Sequence, residues 1–403
     1  MNPTPPAAVM ARRATLVGGA GLLAGCALPE RADPVPTDRI RNAQVLGLPN
    51  ERFCVTDPTD IPRIVEEFNQ AGRRQRAAFG LGPRDRLPDG HIIAFSGGGE
   101  NGAFGAGLAC GWTEAGTRPS FNLVTGISTG ALTAPLVFAG PHRDAQLRAA
   151  YTEITAADVL AERGLLAALV DDALADSAPL ARTIARFYDA SLMAEVAQGY
   201  ARGRQLVIAT TNLDAQRPVA WNLGAIAASG HPRALDLSRQ VLLASAAVPG
   251  VFPPVMIDVT VDGLPYQEMH VDGGTYAQAY LYPPALGASR AERIRQGLTP
   301  PAVTAYVVRN GRLALSGGPV RRRVLPIASR AISTLIGAAG VNDVFRIEAT
   351  ARQHGIAFRL AYIEDDFTAQ EVEPFGQDYL RALFAYGYGK ARGGNPWKPG
   401  LPG

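Results

Sequence analysis

Residues 92–102 read IIAFSGGGENG and residues 125–130 read TGISTG. The second stretch fits GxSxG, in which a serine sits on a tight strand-to-helix turn with its hydroxyl exposed, and Gly126 and Gly130 let strand and helix approach closely. Ser128 is then a candidate nucleophile for acyl transfer. That chemistry develops an oxyanion, and losing one fixed N–H donor to it typically costs roughly 2.7–4 kcal/mol. Gly97, Gly98 and Gly99 leave an apolar strand and lead through Gly102 into a helix, so their amides offer such donors with no side chain in the way. A phosphate-cradling loop has a similar look, but the chain lacks GxxxxGK[ST] here, and a dinucleotide loop leaves GISTG unexplained.

A serine nucleophile needs a base. Of the five histidines, His91, His142, His231, His270 and His354, none has a strong setting. Asp272, in HVDGGTYAQ, ends an apolar strand and precedes Gly273 and Gly274, which let the loop turn back over a site. Partial burial raises a carboxylate's affinity for a proton, as a general base requires. His270 lies two residues earlier on the same face of that strand, so a histidine triad stays open as a rival. Asp214, in TNLDAQ, reads as a turn residue, and Cys110 as a small core residue.

GGGxxG, GISTG and DGG in this order resemble the patatin-like phospholipase family, and ASAAVPGVFPPV at 244–255 is similar to a further block of it. The resemblance spans residues 90–285. It implies a three-layer α/β/α fold with a mainly parallel central sheet, Ser128 as nucleophile, Asp272 as general base in a Ser-Asp dyad, and Gly97, Gly98 and Gly99 around the oxyanion. It also implies a lipid or other acyl ester as substrate, and neither metal nor organic cofactor. Members of the family usually carry Arg or Lys before the last glycine of the first motif, where this chain has Glu100 and Asn101. The missing charge weakens the case for anionic headgroups and is the motive for a rival reading, a membrane-tethered binding or scaffold protein without turnover.

Strand and helix signals alternate around these motifs, which predicts parallel strands joined by crossover helices. HIIAFS, FNLVT, RQLVIATTNLD, YQEMHVD, AVTAYVVRN and IAFRLAYI read as strands. Helices are expected over 61–79, 101–115, 131–140, 236–246, 324–353 and 376–389, and 145–203 reads as wholly helical. Residues 26–60, rich in proline and charge, read as a tether and linker, with the hydrolase domain over 61–395. Arg321, Arg322 and Arg323 form a basic run before Leu325, Ile327, Ile332, Leu335, Ile336 and Val341, which fit either an interfacial face or a core face.

The chain of 403 residues is 47% hydrophobic and 19% charged, enough to bury a large core. Its N-terminus, ARRATLVGGAGLLAGC, has a basic start and a short apolar run, the anatomy of a secretory signal over residues 1–25. LAGC resembles a bacterial lipobox, which implies cleavage before Cys26 and acylation of its thiol. Ala27 lacks the retention signal an aspartate gives there, which favours the outer membrane over the inner. Arg12 and Arg13 also suit twin-arginine export. Removing the two arginines of residues 1–25 lowers the formal charge from +3 to +1, so no general electrostatic case for nucleic-acid binding remains. Acyl-chain length, headgroup and oligomeric state are not legible in the sequence.

Overall fold

The computed structural model describes residues 31–162, 173–282, 285–297, 299–314 and 317–402. Residues 1–25, expected to be a secretory signal, and Cys26 lie outside them. In chain order the elements are β1 (Arg52–Phe53), α1 (Ile61–Ala78), β2 (Gly90–Phe95), α2 (Gly102–Glu114), β3 (Leu123–Gly126) and α3 (Thr129–Ala139). Then come α4 (Asp144–Thr152), α5 (Ala156–Val159), β4 (Ala161–Glu162), β5 (Ala175–Asp176), α6 (Ala178–Phe187) and α7 (Ala190–Ala201). The middle holds β6 (Gln205–Asn212), β7 (Arg217–Asn222), α8 (Leu223–Ala228), α9 (Ala234–Ser245), β8 (Val255–Val261) and β9 (Leu264–Asp272). The last are α10 (Ala285–Arg295), β10 (Val303–Arg309), α11 (Val324–Gln353), β11 (Ala357–Tyr362) and α12 (Gln377–Arg392).

The main sheet runs β1-β7-β6-β3-β2-β10-β11, and β9 pairs with both β6 and β8. From β6 across to β11 every pairing is parallel, whereas β7, β8 and β9 join antiparallel. Strand β2 shows why its sequence is apolar throughout. Ile93 and Phe95 point into a core shared with α2, α3 and α12, while Ile92 and Ala94 point into a second core capped by α11. A strand buried on both faces has no polar side to alternate with. Three layers result, helix on sheet on helix, as expected.

Two expectations fail. Residues 145–203 are not wholly helical, because β4 and β5 pair as a small antiparallel ribbon between α5 and α6. Their Ala and Leu content matches a helix in composition but does not settle where the chain reverses. Residues 31–60 are not a free linker either. Val35, Val45 and Phe53 are buried, β1 pairs with β7, and Arg52 donates to Glu268 Oε2 at 2.5 Å. Three apolar residues spaced through a proline-rich segment bury enough surface to hold it on the sheet edge.

Candidate active site

Strand β3 delivers Ser128 to the start of α3 with φ 55° and ψ −127°. A serine there is strained, and neighbouring packing enforces it. A Cβ on Gly126 would stand 2.3 Å from Gly130 O, and one on Gly130 would stand 2.3 Å from Phe95 O. The turn is therefore pressed against the end of β2, where the glycine run begins. From below, Ser245 fixes it: its hydroxyl receives the Ser128 N–H at 3.0 Å and donates to Ala209 O on β6 at 2.7 Å.

Asp272 ends β9, opposite Thr210 of β6. Its N–H donates to Ala247 O, and its Oδ1 accepts the Gly274 N–H at 2.6 Å. The Ser128 hydroxyl lies near enough to act on the carboxyl as a donor would, yet Oδ2 has no partner of full hydrogen-bond geometry. Ser128 and Asp272 are 7% and 4% exposed. Burial raises the Asp272 pKa to about 7, against the opposing pull of Ser128 and the Gly274 amide.

The glycine run is held by residues that carry no motif. Gly97 N–H donates to Gln278 O at 3.0 Å, so this amide is already committed and Gly97 leaves the expected donor set. Gly98 and Gly99 follow, Gly99 opening a 3-10 turn where N–H groups have no internal acceptor. A Cβ on Gly98 would meet Asn310 O at 2.1 Å. Asn310 in turn donates through its side chain to Ser96 O and accepts the Gly105 N–H. Gln278 also donates to Gly274 O, tying the aspartate loop to the glycine run. Sequence reading missed Ser245, Gln278 and Asn310; the visible signal was a polar residue just past a buried strand, as in VVRN.

Beside Ser128, Gly98 and Gly99 opens a cavity of about 280 Å³ walled by Leu132, Leu136, Ile184, Phe252 and Phe375. Among the described residues no lysine or arginine lines it. A larger cavity of about 700 Å³ lies among Arg41, Asp57 and Glu268, under residues 40–63, and does not reach Ser128. Glu100 lines the apolar cavity and accepts the Phe375 N–H at 2.7 Å; burial, with the neighbouring Glu371 carboxyl, pushes its pKa to about 7. Asn101 accepts from Tyr379 OH at 2.7 Å. The two residues that depart from the family pattern thus bind the 371–379 segment to the glycine turn.

Other candidates fall elsewhere. His270 is fully buried, with Nδ1 against Thr210 Oγ1 at 2.8 Å and Nε2 against Glu268 Oε2 at 3.1 Å. Both ring nitrogens are engaged, Nδ1 with Thr210 and Nε2 with the Glu268–Arg52 pair, so the ring has none left for Ser128. Asp214 pairs with Arg31 and accepts the Met269 N–H. Cys110 is buried. Among the described residues no cluster of His, Cys, Asp and Glu could hold a metal ion, and no helix is long and apolar enough to cross a membrane.

Residues 93–283 match the model of the patatin-like phospholipases. This chain carries a patatin-like phospholipase domain. The match runs from β2 through the DGG turn and encloses the serine, the glycine run and the aspartate. A lipid acyl hydrolase is the general activity that goes with it. No curated protein matches the chain. Among solved structures the chain is similar to VipD from Legionella pneumophila, at 10% identity and a TM-score of 0.37, over 76% of this chain and 67% of that one.

Proposed function

We propose that this patatin-like domain is a serine acyl-hydrolase working through a Ser128–Asp272 dyad on neutral or zwitterionic acyl esters. The observation that carries the reading is the buried Asp272 carboxylate, whose Oδ2 is unpartnered beside a serine held at positive φ. Ser128 Oγ attacks the ester carbonyl while Oδ2 takes the hydroxyl proton. The amides of Gly98 and Gly99, with that of Thr129 at the start of α3, receive the oxyanion. Collapse of the tetrahedral adduct passes the proton from Asp272 to the leaving alcohol and leaves an acyl-serine. Water then attacks by the same route, its proton going to Asp272 and on to Ser128 Oγ as the carboxylic acid departs.

The apolar cavity beside Ser128 supports an acyl chain as the recognised group, and the absence of lysine and arginine among the described residues of its walls disfavours an anionic headgroup. The LAGC sequence supports export and anchoring through an acylated Cys26, with the outer membrane as the destination. Full-length protein with Cys26→Ser keeps the chain free of acylation and should hydrolyse short nitrophenyl esters. Adding Ser128→Ala should remove that activity, and unchanged hydrolysis would refute the mechanism.

A further inference from the structure

Helix α11 is longer than its place in the sheet requires. It connects the parallel neighbours β10 and β11, strands of seven and six residues that span roughly 20–23 Å. Its 30 residues span roughly 45 Å. The surplus lies at one end. Buried side chains begin only after Gly340, with Asp343, Val344 and Ile347, whereas no side chain described in 324–339 is buried. A helix returning between parallel strands starts at their C-terminal ends, the end that carries Ser128. It leaves the body near Gly337, whose carbonyl accepts from Arg309 of β10, and further along Asp343 accepts the N–H of Gln278, the residue whose carbonyl holds Gly97.

The projecting half carries an exposed apolar arc. Ile327, Ile332 and Leu335 are 50%, 49% and 70% exposed. At 3.6 residues per turn they fall within an arc of about 140°, and Phe345, also exposed, returns to the azimuth of Ile327. Along the chain here the charge has one sign, although Arg312 is spent on Asp365 and the Phe367 carbonyl. Residues 310–342 contain Arg312, Arg321, Arg322, Arg323 and Arg330 and no aspartate or glutamate. The Arg321–Arg323 run is exposed at the helix start. On the same end of the molecule, Val251 at the cavity wall and Tyr276 at the close of the aspartate turn also stand exposed.

We infer that the N-terminal half of α11, with the arginine run before it, docks on an anionic lipid surface and brings the cavity mouth to the bilayer. An apolar arc flanked by cations is the pattern of helices that lie in a membrane interface. A second copy of the chain fits less well, because a two-fold contact through this face would bring two arginine runs together. The inference concerns binding and does not depend on the dyad.

The test uses the full chain with Cys26→Ser, so that no acyl anchor contributes. Co-sedimentation with phosphatidylglycerol-containing vesicles should exceed that with pure phosphatidylcholine vesicles and fall as salt is raised. Each basic residue near such a surface contributes roughly fivefold in affinity, so the triple Arg321→Ala, Arg322→Ala, Arg323→Ala variant should bind at least about tenfold more weakly. Leu335→Asp, at an exposed position, should weaken binding to both vesicle types, with thermal unfolding by circular dichroism unchanged. Equal binding by parent and variants would overturn the inference. So would a concentration-dependent dimer that the same substitutions dissociate.

Discussion

Asp272 reaches Ser128 with one carboxylate oxygen already used, Oδ1 holding the Gly274 amide, and the other left without a full partner. This division fixes the carboxyl's orientation and leaves one oxygen without a full partner, the one that the proposed dyad uses for the serine proton. Replacement by asparagine keeps the size and the bond to Gly274 but removes the proposed base. Asp272→Asn should lower kcat for a short neutral ester by roughly 10²–10⁴-fold, measured under saturating substrate.

The same carboxyl makes activity and stability run in opposite directions with pH. Only ionised Asp272 accepts a proton, so kcat/KM should rise with pH through a midpoint near 7. A folded-state pKa raised above the unfolded value gives stability that is fully present below the unfolded pKa, near 4, and is lost as pH rises through about 7. Asp272→Asn should therefore raise Tm above the parent at pH 8 and lose that advantage at pH 4. Glu100 titrates in the same range, so the profile is to be measured also in Glu100→Gln, which should leave the midpoint in place.

His270 separates the dyad from a histidine triad. His270→Gln should leave kcat/KM within about threefold of the parent, since the ring points to Thr210 and Glu268. It should cost roughly 1–3 kcal/mol of stability, because it disturbs buried hydrogen bonds around the Glu268–Arg52 pair. Loss of activity without loss of stability would favour the triad.

Gly130 is where the elbow and the glycine run press together. Gly130→Ala places a methyl 2.3 Å from Phe95 O and 2.7 Å from Ser96 O, backbone atoms that cannot swing away. Displacing the serine by about 1 Å is enough for a loss on the order of 10²-fold in rate, accompanied by a lower Tm. An alanine variant with parent activity would mean that the close approach is not needed for catalysis.

The legible parts of this chain were those that a single segment specifies. Strands buried on both faces, such as IIAF, announce themselves as apolar runs, and glycines at a close approach survive as motif letters. Partners that meet only in three dimensions left weaker traces. Gln278 and Asn310 brace the glycine run from distant segments, and nothing in the spacing of GGGENG shows that the Gly97 amide is spent on Gln278. Val35, Val45 and Phe53 stand singly among prolines and charges, so their docking is decided by the sheet edge they cover and not by a periodic pattern. The antiparallel return of β7 and β8 was invisible for a related reason, since RPVAWN and VMIDVTV are short and depend on β6 and β9 for their pairing.

The most direct test of the dyad is covalent labelling of the folded full-length Cys26→Ser chain with a fluorophosphonate, followed by peptide mass spectrometry. The account predicts one adduct, on Ser128, that forms faster as pH rises through about 7 and is nearly lost in Asp272→Asn. A folded protein that leaves Ser128 unlabelled, or labels it equally fast with Asp272→Asn, would contradict it.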